Sequence, residues 1–493
     1  MSQYILAIDQ GTTSTRAIAF DAGFQPRAAA QLELTQYFPQ PGWVEHDAEE
    51  IWAATQKVCR DVIAQLGGAD KVAAIGITNQ RETTIIWDRK TGAPVHRAIV
   101  WQDRRTAEAC AALKPYERRV QDTTGLLLDP YFSATKVAWI LDTAPGLRAL
   151  AEAGELAFGT VESFLVWRLT GGRVHVSDVT NASRTMLFDI AKRDWSQTLL
   201  DLFRVPRALL PGPAPCDLHV GDADPALFGR AIPITGMAGD QQAALVGHNC
   251  LAPGMAKATF GTGCFLVMNT GGTPPRSDHR LLATLGYETS DALAYALEGS
   301  IFSAGATIQW LRDGLRLIKT SGESEAIASG LADNGGVYLV PAFVGLGAPQ
   351  WNADARGAIV GLTRDSTTAH LVRAGLEAVA YQTNDLLEAL AADGAKIGKL
   401  LVDGGMTANG WAMQFLSDVC GVDVECPSFQ EATALGAAKL AAKGLGQLKS
   451  LTDAPENPAK ARWSPRLDPG ARRALLEGWR AAVKGTLAVA EGA

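Results

Sequence analysis

The sequence predicts an α/β protein built from two similar halves with a cleft between them, and three observations carry that prediction. Short apolar strands alternate with helices along the chain, the order of an α/β layer architecture. Residues 6–16 read Leu-Ala-Ile-Asp-Gln-Gly-Thr-Thr-Ser-Thr-Arg, a strand that runs into Asp9 and turns through Gly11 and four hydroxyl side chains. Midway through the chain, Ala256–Phe260, Gly261-Thr262-Gly263 and Cys264–Asn269 begin again with strand, turn and strand, echoing the opening architecture without matching its sequence. At roughly 100–200 residues per domain, 493 residues make two to four domains.

Taken in order, Ile5–Ile8 and Arg16–Phe20 flank the opening loop, and Gln31–Phe38 reads as a third strand. Asp47 caps a helix from Ala48 to about Leu66, with Glu49 and Glu50 in the first turn, where acid suits the helix dipole. Lys71–Thr78 is an apolar strand ending at Asn79-Gln80-Arg81-Glu82, and Thr83–Asp88 is another strand. Pro206–Gly229, with Pro211-Gly212-Pro213 and Pro215, reads as loop or linker. Ile234–Ala238 leads into Gly239-Asp240, and Gln241–Gly247 opens a helix. A domain boundary is expected near residue 250. Thr368–Leu390 has apolar residues on one broad face of a long amphipathic helix. Lys399–Val402 feeds Asp403-Gly404-Gly405, and a helix follows through Val419. The tail from Pro455 is assigned helix and surface packing only.

Four strand-end loops, at Asp9, Arg81-Glu82, Asp240-Gln241 and Asp403-Gly404-Gly405, stand where α/β sheets present ligands. Backbone N–H groups and hydroxyls of a glycine turn can cradle phosphate oxygens, and a carboxylate can hold a hydrated divalent cation. The GxxxxGK[ST] pattern is absent, so the opening loop is not a Walker loop. A strand-end aspartate can equally be a helix N-cap, and an Arg-Glu pair can be a solvated strand end. The guanidinium of Arg81 donates to hydroxyl oxygens and the carboxylate of Glu82 accepts from hydroxyls, a pairing suited to neighbouring hydroxyls of a polyol.

Composition excludes several classes. The net charge of −7 argues against a general nucleic-acid binder. No apolar run reaches the roughly 18 residues that span a bilayer. The seven cysteines are scattered with no CxxC pair, which fits reduced thiols in a cytosol, and the seven histidines show no metal-ligand spacing. No secretory signal is read at the N-terminus, and a cytoplasmic protein is expected.

The strings DQGTTSTRA, PGWVEHD (Pro41–Asp47), GITNQRETT (Gly76–Thr84), DPYFSATK (Asp129–Lys136), TNASRTMLF (Thr180–Phe188), GDQQAAL (Gly239–Leu245), FGTGCF (Phe260–Phe265) and PAFVGLGAPQW (Pro341–Trp351) resemble the glycerol kinases of the FGGY carbohydrate kinase family, in the superfamily of actin and hexokinase. The resemblance runs to about residue 445. It implies two ribonuclease-H-like (actin/hexokinase-type) domains, 1–250 and 251–493, with an interdomain active-site cleft, glycerol on the first and ATP on the second. By position in the motifs, it implies that Arg81, Glu82, Tyr131, Asp240 and Gln241 hydrogen-bond glycerol and that Trp101 and Phe265 flank its carbon chain. Thr12, Thr13, Ser14 and Arg16 would meet the nucleotide phosphates. Thr262, Gly305, Gln309, Gly405 and Asn409 would line the rest of the ATP site. Asp9 would position Mg2+ through water, and Asp240 would act as general base. Homo-oligomers, dimers or tetramers, are the family expectation. One departure is Ala226-Leu227-Phe228-Gly229-Arg230-Ala231, which replaces the longer glycine-rich loop used by some bacterial members for inhibition by fructose 1,6-bisphosphate, so that control is not expected here. Two readings stay open on the residues alone: a related polyol or pentulose kinase, and a non-catalytic ATP switch of the actin or chaperone type.

Overall fold

In the computed structural model, which describes residues 3–491, two mixed sheets are laid down one after the other. The first contains β1 (Tyr4–Gln10), β2 (Ser14–Phe20), β3 (Pro26–Glu33), β4 (Val72–Asn79), β5 (Gly221–Ala223) and β6 (Ile232–Gly239) in the spatial order β5-β6-β4-β1-β2-β3. β1, β2 and β3 form an antiparallel meander, while β4 and β6 run parallel to β1. The second contains β7 (Ala256–Phe260), β8 (Cys264–Gly271), β9 (Leu282–Glu288), β10 (Leu293–Ile301), β11 (Lys399–Asp403), β12 (Asp423–Pro427) and β13 (Ala459–Trp463) in the order β9-β10-β8-β7-β11-β12-β13. Again the opening strand pairs antiparallel with its successor and parallel with a later strand on its other side. The duplicated plan expected from the sequence is therefore present at the level of strand order.

The first helix spans Ala48–Leu66. Asp47 accepts from the Glu49 N–H at 2.8 Å, and Gly67 closes its end in the left-handed conformation. Its apolar face, including Ile51, Val58 and Val62, packs on the first sheet. The helix Asp240–Gly247 follows β6, and it meets Ala432–Gly444 from the far end of the chain so closely that a Cβ on Gly436 would collide with the Ala243 carbonyl. Ala434, Ala437, Ala438 and Ala441 of that late helix share a buried cluster with Ile5, Ala7 and Ile18. A segment of the second half thus covers one face of the first sheet.

Five expectations change. The third strand is Pro26–Glu33, not Gln31–Phe38, because its register against β2 runs from Pro26 opposite Phe20 to Glu33 opposite Ser14; as an edge strand facing water it carries little hydrophobic alternation. The strand expected over Thr83–Asp88 covers only Ile85–Asp88, and it pairs with Leu156–Gly159 in a small separate sheet. Pro206–Gly229 is not a linker: Gly212–Ala214 pairs with Val176–Asp178, and β5 extends the first sheet. The helix Thr368–Ala392 is buried nearly all round and encloses an Arg373–Glu377 ion pair at 2.7 Å, so it is not one-faced. The tail is built into the fold, since β13 edges the second sheet and Trp479, on the helix Pro469–Glu491, stacks on Tyr381 with ring centroids 5.3 Å apart. Among the described residues all seven cysteines are unpaired and buried, and no helix is long and apolar enough to cross a membrane.

Candidate functional site

The carboxyl ends of β1, β4, β6, β7 and β11 carry the loops singled out in the sequence, the place where parallel strands of open sheets offer ligands their backbone. Arg81 and Glu82 follow β4 directly and are buried, not solvated. Glu82 adopts φ 60°, a left-handed conformation costly for a non-glycine residue, and the Ser133 and Thr84 hydroxyls donate to its carbonyl at 2.9 and 3.1 Å. That turn sends the two neighbouring side chains to different partners. Arg81 Nε meets Asp240 Oδ1 at 3.0 Å and its terminal nitrogen meets Glu298 Oε2 at 2.5 Å. Arg184 bridges the other oxygen of Glu298, at 2.8 Å, to Glu82 at 2.7 Å. The result is one alternating chain of charges, Asp240, Arg81, Glu298, Arg184, Glu82, in which Glu298 comes from β10 of the second sheet and the rest from the first half. Burial pushes the Glu298 carboxyl up, but the guanidiniums of Arg184 and Arg81 outweigh it and hold it below the ordinary range. Glu82 goes the other way, its carboxyl raised because burial outweighs Arg81 and Arg184.

Aromatic rings wall this group. Trp101 lies edge-on to Tyr131 at 5.7 Å and to Phe265 at 5.9 Å, and the Arg81 guanidinium sits 5.9 Å from the Phe265 ring. Beside Asp240, Gln241 is buried and accepts a hydrogen bond from the equally buried Lys257 ammonium of β7. Six of the seven residues expected to hold or flank a polyol are joined by these contacts, and Gln241 joins them through its N–H, which donates to Asp240 Oδ1 at 2.7 Å.

The phosphate-type loop is held in place by its neighbours. Gly11 N–H donates to the Ser14 carbonyl at 2.9 Å, Trp101 Nε1 donates to the Thr12 hydroxyl at 2.9 Å, and Gln31 donates to Ser14 Oγ at 3.0 Å. Thr13 gives its carbonyl to the Leu34 N–H. Beneath the turn, Gln80 donates to Gln10 Oε1 and the Gly11 carbonyl and lies 3.3 Å from Nδ1 of His46, an imidazole whose pKa burial lowers to about 4. Arg16 forms an ion pair with Glu431, at the start of the Ala432–Gly444 helix, and donates to Gln31 at 3.1 Å. Burial raises the Asp9 carboxyl to about 7, with Arg16 pulling it down and Glu431 and Asp240 pushing it further up. A divalent cation would relieve that repulsion, and oxygen donors suit magnesium. Among the described residues no group of three His, Cys, Asp or Glu side chains is placed to hold a metal, so an ion at Asp9 would draw its other ligands from water and phosphate oxygens.

A cavity of about 380 Å³ opens on the second half. Thr262, Gly305, Gln309, Gly405 and Asn409, the five residues expected to line the remaining nucleotide site, all border it, with Ile308, Ser324, Glu325 and Leu376. Glycine is required where the backbone bends into it: Gly404 has φ 93°, and a Cβ there would strike the Phe260 backbone. Asn409 caps the helix Gly410–Cys420 through the Ala412 N–H at 2.9 Å. Behind the cavity, Asp403 accepts from His248 at 2.6 Å.

Glu298, Arg184, Lys257 and Glu431 were not singled out from the sequence. The first three carry a signal: each is a lone charge in an otherwise apolar or neutral stretch, as in Leu-Ala-Tyr-Ala-Leu-Glu-Gly-Ser-Ile over 293–301. Glu431 carries none.

Comparison with known proteins places this geometry. The family model described as FGGY family of carbohydrate kinases, N-terminal domain, matches residues 4–247, and the C-terminal domain of the same family matches residues 256–445. The chain is 56% identical over 488 residues to glycerol kinase 1 of Pseudomonas aeruginosa, covering 98% of this chain and 99% of that one. It is 57% identical over 487 residues to a glycerol kinase of Rhodospirillum centenum, covering 98% of each. A crystal structure of Plasmodium falciparum glycerol kinase with ADP superposes with TM-score 0.92 at 36% identity, covering 99% of this chain and 98% of that one.

Proposed function

The chain belongs to the FGGY family of carbohydrate kinases, and from that premise we propose that it transfers the γ-phosphoryl group of ATP to a terminal hydroxyl of glycerol, yielding sn-glycerol 3-phosphate and ADP. The observation that carries the proposal is the charge chain, buried from Arg81 to Glu82, that ends in the half-buried Asp240. It sets two acceptors and the Arg81 donor within one aromatic-walled recess. A filament or chaperone switch needs no such recess.

Glycerol binds with its hydroxyls on Arg81, Glu82, Tyr131, Asp240 and Gln241 and its carbons against Trp101 and Phe265. The adenosine part of ATP enters the cavity lined by Thr262, Gly305, Gln309, Gly405 and Asn409, and the phosphates lie along Thr12, Thr13 and Ser14. Asp240 is the general base: it takes the proton of the attacking hydroxyl as that oxygen approaches the γ-phosphorus in line. Phosphoryl transition states are loose, so placing the two reactants matters more than early deprotonation. Arg16 stabilises the transferring group after exchanging Glu431 for phosphate oxygens. Asp9 would hold Mg2+, which would supply neutralising charge on the phosphates when bound. The domain boundary lies near residue 250, between the two sheets, and seven unpaired buried thiols support a reducing cytoplasm.

The test is a coupled assay of ADP release with glycerol, dihydroxyacetone, xylulose and ribulose. Glycerol is expected to give the largest kcat/KM, with little turnover in its absence. A preference for a pentulose, or turnover that ignores glycerol, overturns the proposal.

A further inference from the structure

Lys257 is a buried cation that the transfer chemistry leaves without a task. It has no solvent exposure, and its Nζ faces three oxygens: Gln241 Oε1, Thr259 Oγ1 at 3.0 Å and the Phe265 carbonyl at 3.4 Å. Three acceptors around one nitrogen call for three N–H bonds, which an ammonium has and a neutral amine lacks. Burial lowers the Lys257 pKa, while the carboxylates of Asp403 and Asp240 act to keep the proton on.

The contact with Gln241 settles the direction of that amide. A primary amide accepts at oxygen and donates at nitrogen, and an ammonium can only donate. Lys257 therefore claims the oxygen, and the NH2 end is the one Gln241 turns to a ligand. Thr259, the second acceptor, stands opposite Asp403 across the parallel pair of β7 and β11, immediately before the Gly404-Gly405 turn that borders the nucleotide cavity. One lysine thus touches the polyol recess and the strand pair that carries the nucleotide turn.

We propose that Lys257 is a positioning residue for substrate recognition: it locks Gln241 as a hydrogen-bond donor to a substrate hydroxyl oxygen, leaving Asp240 and Glu82 as the acceptors of the hydroxyl hydrogens. This rests on the reading that Gln241 contacts glycerol. It makes the recess asymmetric, with donors at Arg81 and Gln241 and acceptors at Asp240 and Glu82, so that a small polyol sits in one orientation.

A double-mutant cycle on the full-length protein tests it, with glycerol and ATP varied separately and thermal unfolding recorded for each variant. Lys257→Met preserves length and apolar volume. It is expected to raise the glycerol KM by about tenfold or more, with ATP KM and kcat changing by less than about threefold. In a Gln241→Ala background the same change is expected to add almost nothing, because the amide it orients is gone. An equal penalty in both backgrounds, or an unchanged glycerol KM, overturns the proposal. If Lys257→Met does not fold, Gln241→Glu decides: its carboxylate pairs with the ammonium but offers no donor, so glycerol KM rises by about tenfold or more in a folded enzyme, and an unchanged KM overturns the proposal. The wild-type control separates the two readings, since absence of glycerol-dependent ADP release would sink the kinase assignment itself.

Discussion

The recess proposed for the polyol and the cavity proposed for the nucleotide sit at the strand ends of two sheets with the same core order, yet they are built from opposite materials. The recess is made of charge: Arg81, Glu298, Arg184 and Glu82 form one buried chain with the half-buried Asp240 at its end, braced from both halves of the molecule. The cavity is made of glycine turns and apolar side chains: Gly261, Gly305 and Gly405 line it beside Ile308, Leu376 and Met406, with one carboxylate, Glu325. The difference follows from what each must hold. A three-carbon polyol offers little apolar area, so recognition rests on preset hydrogen bonds whose loss leaves buried groups unpaired. A nucleotide brings a ring and phosphates, which bare N–H groups and apolar walls can receive without fixed charges. The lesson is that a duplicated scaffold specialises through what fills its strand ends.

The strongest blow to the comparison comes from Asp240. Asp240→Asn is expected to lower kcat by roughly 10²–10⁴-fold with nucleotide binding retained, measured by steady-state kinetics and ADP titration; near-normal turnover would remove charge chemistry from the recess. Next is Glu298→Ala, which strands two guanidiniums in the interior. It is expected to cost about 3–5 kcal/mol of stability in denaturant unfolding and to abolish glycerol binding. A loss below about 1 kcal/mol would mean that the chain does not act as a unit.

The nucleotide side should respond differently. Gly404→Ala forces a Cβ against the Phe260 backbone and should cost about 1–3 kcal/mol, read as a raised ATP KM with glycerol KM unchanged; a rise in glycerol KM instead would merge the two sites. A pH-dependent effect on stability is expected at Asp9. Folding lifts its carboxyl from 3.8 to about 7, so the folded protein keeps a proton that the unfolded chain releases. Its contribution is complete below about pH 4 and is lost as pH rises toward 7. Asp9→Asn should therefore make the ligand-free protein more stable than wild type at pH 8, by roughly 3–5 kcal/mol, with little difference at pH 4. Equal stability at both pH values would show that Asp9 is not desolvated.

Much of the site is legible residue by residue. Asp9, Arg81, Asp240 and Gly405 stand at strand ends, and strand ends are marked by local breaks: an apolar run stopping at a charge or at glycine. The caps read correctly for the same reason, as Asp47 shows. The third strand was misplaced because an edge strand has one partner and weak alternation, leaving register to β2 rather than to its own pattern. Glu298 is marked locally as a lone charge in an apolar strand, but its partners Arg81 and Arg184 lie 217 and 114 residues away and no local pattern names them.

Local spacing along the chain thus sufficed for the α/β class, the two strand-turn-strand openings and the placing of the candidate residues at strand ends, since each is encoded within a few residues. Only the packed structure decided which charges share a proton field, which way the Gln241 amide faces, and that Ala432–Gly444 closes the first sheet. Those outcomes depend on contacts between segments far apart in the chain, from Gln241 with Lys257 to Ile5 with Ala434, and such contacts are selected by burial and charge compensation across the whole fold rather than by any local propensity.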